Sequence, residues 1–193
     1  LPDPDAHLSM KLIPNLSQAA LVLGLGCLVG HLWPMLRPAG CAAWLRGFHR
    51  NTAVGVLLML VGTIWFEQNL QNSEISDFAA FRPFLLGGVI AIGVASCFVV
   101  RDYLAVRGAA IVACLVADVV LDAQRWHPSP LRHLVTVWMY LWVTLAIWVA
   151  LSPWRVRDWL AWCSASEPRL RLLGVAGVAW GALISALAFT AYR

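Results

Sequence analysis

Six apolar windows follow one another along nearly the whole chain, at about 17–36, 51–68, 83–100, 103–121, 134–152 and 172–190. Each holds roughly 18 to 20 residues, the length a helix needs to cross the hydrocarbon core of a bilayer, which is about 30 Å thick. The connections are short, so no soluble domain fits between them. The chain therefore reads as all-α: one transmembrane domain over 1–193, a polytopic integral membrane bundle of about six transmembrane helices. Composition agrees, with 61% hydrophobic and 12% charged residues, against roughly 25% charged in an ordinary soluble domain.

Six crossings divide the loops into two sets on opposite sides, and basic residues collect on the cytoplasmic one. One set carries Arg37, Arg46, Arg50, Arg101, Arg107, Arg155, Arg157, Arg169 and Arg171. The other, with both termini, carries Lys11, Arg82, Arg125, Arg132 and Arg193. The first set is expected to be cytoplasmic, which puts both termini on the non-cytoplasmic face of a membrane of the bacterial inner-membrane kind. Glu67, Glu74 and Asp77 then share one outer loop. The formal charge of +4 has its source in the cytoplasmic loops, so nucleic acid is not an expected partner; membrane lipids are.

Cysteine usage points the same way. Cys41 and Cys163 fall in cytoplasmic loops and Cys27, Cys97 and Cys114 within spans, the distribution that unpaired thiols favour. An odd count of five excludes a complete disulfide framework. The opening LPDPDAHLS reads as a short extension ahead of Met10. The first span reads as a retained helix, because neither a basic leading region nor a small-residue cleavage site marks a signal peptide.

Two cytoplasmic connections share a design. Cys41, Trp44, Leu45 and Phe48 stand at i, i+3, i+4 and i+7, as do Val156, Trp159, Leu160 and Cys163. Each set predicts a short amphipathic helix on the inner leaflet, aromatic face down and arginines toward anionic headgroups. The likeness of the two units, each a span, a Pro, a Trp-Leu helix and a further span, is compatible with an old duplication. Both have the same orientation, so they are not the inverted repeats of a transporter core.

Small residues form seams in several spans, notably Gly26 and Gly30 in the first and Gly177 and Gly181 in the sixth. Such seams let helix backbones approach closely where lipid is as apolar as the side chains. The fifth span is bulky instead, with Trp138, Tyr140, Trp142 and Trp148. Trp142 lies deeper than an interfacial belt requires.

The fourth span carries the charges that need an account. Arg101 and Asp102 fall at its inner boundary and Asp122 and Arg125 at its outer one. Arg107 and Asp118 lie about a turn inside each end and, eleven residues apart, are only about 20° apart around a helix. They share a face, yet about 16 Å of rise separates them, so each needs its own partner, a watery cavity or a route to headgroups. Arg107, Asp118 and Asp122 are thus the candidate residues of an ion pathway or of interhelical polar contacts.

Other chemistry is thin. His31 and His49 both approach the inner leaflet and are the candidate ligands of a haem or metal. No Gly-rich phosphate loop, GxSxG or HExxH occurs, and no cofactor is specified. The leading expectation is a structural or accessory subunit of a larger membrane complex, with other membrane subunits as partners. A small ion- or proton-coupled transporter or channel using the polar stripe is the alternative. A haem-binding or lipid-handling enzyme subunit using His31 and His49 is the third.

Overall fold

The computed structural model describes residues 15–72, 80–99 and 101–193. These form eight helices: α1 (Leu16–Leu36), α2 (Pro38–Phe48), α3 (Thr52–Asn72), α4 (Arg82–Val99), α5 (Leu104–Gln124), α6 (Arg132–Leu151), α7 (Pro153–Ser164) and α8 (Glu167–Thr190). No strand occurs among the described residues. Six of the helices, all but α2 and α7, are long and apolar enough to cross a membrane. They coincide with the six windows to within a few residues. Lys11, Glu74 and Asp77, counted above for sidedness, lie outside the described residues.

Local chemistry sets the helix starts. Asn15, Asn51 and Ser166 offer side-chain oxygens to the backbone N–H groups of Gln18, Val54 and Arg169 at 2.9, 3.1 and 3.3 Å, satisfying donors that no earlier turn can reach. Pro38 and Pro153 open the two short helices, where a missing N–H costs nothing.

The duplication hinted at by the two Trp-Leu units becomes concrete at these junctions. Arg37 (φ −133°, ψ 67°) and Ser152 (φ −127°, ψ 64°) adopt nearly the same conformation. Each donates its N–H to a Trp carbonyl four residues back, Trp33 and Trp148. Trp33, Leu36, Pro38, Trp44, Leu45, Gly62 and Trp65 all recur 115 residues later, as Trp148, Leu151, Pro153, Trp159, Leu160, Gly177 and Trp180. The caps Asn51 and Ser166 keep the same spacing. Thus α1–α2–α3 corresponds without a gap to α6–α7–α8, and α4 and α5 stand between the two units.

Packing is not symmetric, however. α1 lies along α8 in the most extensive helix contact, whereas α5 separates α3 from α6 by packing on both. The main core joins Leu16, Ala20, Ala117, Val135, Met139, Ile184 and Tyr192 from α1, α5, α6 and the end of α8. Trp138 bridges Trp142 and Trp180 edge-on, at ring separations of 5.5 and 5.6 Å, so the deep Trp142 packs within this chain. α4 packs chiefly on α3.

The two short helices meet each other. Cys41 and Ala42 of α2 pack with Cys163 of α7 and Leu170 of α8, with Leu45 against them. The expected downward stripe is therefore split: Cys41 and Leu160 are buried, while Trp44 and Trp159 stay exposed. Trp44 packs between Trp33 and Phe48. The turn from α4 into α5 joins the same end of the bundle, where Tyr103 stacks on His49 with centroids 5.8 Å apart. Tyr103 is a non-glycine residue in the left-handed region, φ 58°, a conformation that persists only where neighbours hold it. The nine arginines assigned to one set of loops thus gather at one end of the fold.

Candidate functional site

A cleft of about 1290 Å³ opens between α3, α4, α5 and α6. Its existence follows from how α4 is held. Gly93 brings α4 close to Thr63 of α3, and the Thr63 hydroxyl is turned back to the Met59 carbonyl at 2.8 Å. With α4 on α3 and α6 on α5, the outer two helices form walls and the inner two the floor.

The cleft is graded along its length. Met59, Phe66, Ile92, Ala146, Ile147 and Ala150 make it apolar over most of its extent, while Asn69, Asn72, Asp118, Asp122 and Arg125 line one end. Cys114 lies between these regions on the α5 floor. Asp122 pairs with Arg125 at 3.0 Å. Asp118 is exposed toward the cleft and has no ion pair among the described residues. The polar end therefore holds two carboxylates and one guanidinium.

The sequence-derived stripe is divided by this geometry. Asp118 and Asp122 come together in the cleft, but Arg107 does not line it; its guanidinium reaches back to the Asp102 carbonyl at 3.5 Å. Glu67, the other acidic neighbour, accepts from the Gln71 amide at 3.4 Å and also lies off the cleft lining.

The two histidines face different neighbours. His31 turns Nδ1 to the Cys27 carbonyl of its own helix at 2.8 Å and lays its ring over Gly177 of α8. His49 caps α2 and faces Tyr103, with Arg50 and Arg157 close enough to act on it. Burial first, and then those two guanidiniums, hold the His49 imidazole below its ordinary pKa. Its buried Nδ1 has no hydrogen-bond partner, which suits a neutral ring with a lone pair there. Among the described residues no group of three or more His, Cys, Asp or Glu side chains is placed to hold a metal ion.

The helix seams are also resolved. Gly177 and Gly181 lie against α1: a methyl group added at Gly181 would stand 2.7 Å from the Gly24 carbonyl oxygen and from the Leu28 nitrogen. Their counterpart on α1 is Gly24. Gly26 and Gly30 meet nothing of this chain within 4 Å, so the α1 seam within the chain runs along the other face. The pairing of α3 with α5 uses the same device, Gly55 against Ala105 and Gly108 against Leu58 and Met59.

Helical spacing puts Cys114 within about 40° of the Asp118 face of α5, but sequence reasoning missed Asn69 and Asn72 of α3 as neighbours of Asp118. The positions of Cys114, Asp118, Asp122 and Arg125, three to four residues apart, were the available signal on α5; nothing in the α3 sequence aims its amides at that face. No protein-family model matches the chain, and neither a curated protein nor a solved structure matches it.

Proposed function

We propose that this chain is an integral membrane protein that serves as a structural or accessory subunit of a larger membrane complex. Its six long helices span the bilayer, and α2 and α7 lie at the cytoplasmic surface with the arginine-rich end. Both termini then face outward in a membrane of the bacterial inner-membrane type. The observation that carries the subunit reading is α4. It packs chiefly on α3, and Phe84, Phe98 and Val99, all off the cleft lining, project from it at 77%, 68% and 80% exposure. A helix with so little contact inside its own chain is stabilised by association with other membrane proteins, since packing rather than water exclusion drives helix pairing in lipid. Purification from native membranes in mild detergent tests this: a stable assembly much heavier than the 21.2 kDa chain is expected, and a chain that purifies alone overturns it.

A second reading has a specific observation behind it. Asp118 sits in an open cleft with no counter-ion, and an ionisable side chain at such a depth is costly without a use. Cation- or proton-coupled flux through reconstituted vesicles, lost in Asp118→Asn, would establish that reading in place of the first.

A further inference from the structure

We propose that the α3–α6 cleft binds a lipid-like amphiphile with a primary ammonium headgroup, its tail between α4 and α6 and its ammonium on Asp118. The inference rests on the reading that the long helices span a bilayer. Three features of the cleft converge on this one ligand class.

The first is charge. Asp122 is neutralised by Arg125 at 3.0 Å, and Asp118 is not paired. The polar end is left one negative charge in excess, with the Asn69 and Asn72 amides beside it as further hydrogen-bonding groups. An ammonium donates three hydrogen bonds and carries the charge that balances Asp118. A phosphate or sulfate head without an amine would meet uncompensated repulsion there.

The second is size. About 1290 Å³ exceeds the usual range for a compact small ligand, about 300–1,000 Å³. An elongated chain with one polar end fits the volume and the grading. Phe66, Ile92 and Ile147 line the cleft and remain exposed, so a tail enters sideways from the hydrocarbon.

The third is the repeat. In one half of the molecule Gly177 closes against His31. Their counterparts 115 residues earlier and later are Gly62 and Ala146, and both line the cleft. The cleft is thus the place where the contact between first and third helices of the units is held open by α5, which packs on both α3 and α6. An opening at the position of a packed seam is a built feature of the fold.

The test uses the full chain in dodecyl maltoside with Cys114 as its sole cysteine, Cys27, Cys41, Cys97 and Cys163 being replaced by Ser. A second version keeps only Cys97, which lies off the cleft lining. Maleimide reaction is followed with added dodecylammonium, dodecanol or dodecyl sulfate. Dodecylammonium is expected to slow the reaction of Cys114 about tenfold, the scale of one charged contact, and to leave Cys97 within about twofold. Asp118→Asn is expected to remove the protection and Asp118→Glu to retain it, with thermal melting confirming that each variant is folded. Equal slowing at Cys97, equal slowing by all three amphiphiles, persistence in Asp118→Asn or no slowing at all overturns the proposal. So does a Cys114 that reacts only after a second polypeptide is stripped away, which would put a protein helix in the cleft. Release of the chain from membranes by alkaline carbonate overturns the membrane reading itself; retention in the pellet without an ammonium effect overturns the ligand alone.

Discussion

His49 carries a pH dependence that follows from its surroundings. Its folded-state pKa lies below the ordinary value because burial, Arg50 and Arg157 oppose the charged form. The unfolded chain therefore takes up a proton more readily than the folded one as pH falls through about 6.5 and below. The stability this site contributes is complete above that value and is lost toward the lower, folded-state pKa. The melting temperature in detergent should fall as the pH drops below about 6.5, and His49→Phe, which keeps a ring against Tyr103 and cannot titrate, should flatten that part of the profile. An unchanged profile in His49→Phe would assign the acid sensitivity elsewhere. Tyr192 gives a complementary test at the opposite end. It is 2% exposed and donates its hydroxyl to the Leu131 carbonyl at 2.9 Å, tying the end of the chain to the start of α6. Tyr192→Phe keeps the packing and loses the bond, a cost of about 1 kcal/mol, read as a lower denaturation midpoint. Residue-scale legibility was uneven for a physical reason. Helical periodicity puts Arg107 and Asp118 on one face of α5, but long side chains choose their partners locally. Arg107 bends back to Asp102, a choice that angular position does not encode.

At the scale of the elements, the seams separate pattern from contact. Gly24 and Gly26 are two residues apart and so lie about 200° apart around the helix. One glycine face can be chosen only when the partner is known, and a GxxxG spacing alone marks both Gly26 and Gly30 without saying which side α8 will take. The structure places α8 on the Gly24 side. Gly181→Leu should drive a side chain into the α1 backbone and destabilise the fold by about 1–3 kcal/mol, while Gly26→Leu should leave the isolated chain within about 0.5 kcal/mol of the wild type. Comparable melting of both variants in detergent would remove the α1–α8 seam. If Gly26→Leu melts normally but loses co-purifying protein, the face meets another subunit. The amphipathic helices teach a similar point. The spacing of Cys41 and Leu45, and of Leu160 and Cys163, is legible as an apolar stripe, but whether such a stripe meets lipid or protein depends on a contact more than a hundred residues away along the chain. Here α2 and α7 meet each other.

For the whole molecule, the repeat constrains sidedness. Because α1–α2–α3 and α6–α7–α8 run in the same direction, their short helices must share an end, and the contact between α2 and α7 puts them together there. Any error in orientation inverts both at once, so a single labelling pattern decides the matter. Cys41 and Cys163 themselves are poor reporters, being only 4% and 2% exposed; burial also raises both thiol pKa values, so their silence toward a reagent would say nothing of the side they occupy. Exposed neighbours serve instead. Ala43 on α2 and Ala161 on α7 are exposed, and His133 is exposed at the start of α6 at the opposite end. In a chain freed of its native cysteines, His133→Cys should react with a membrane-impermeant maleimide in intact cells, and Ala43→Cys and Ala161→Cys only after permeabilisation. The excess of arginine at the α2–α7 end, which resists translocation, is the physical cause. Labelling of Ala43→Cys and Ala161→Cys but not His133→Cys in intact cells would turn the bundle over and place the ammonium-binding end of the cleft at the cytoplasmic leaflet. Opposite reactivity of Ala43→Cys and Ala161→Cys would instead break the parallel repeat, since no arrangement with α2 packed on α7 puts those two positions across a membrane from each other.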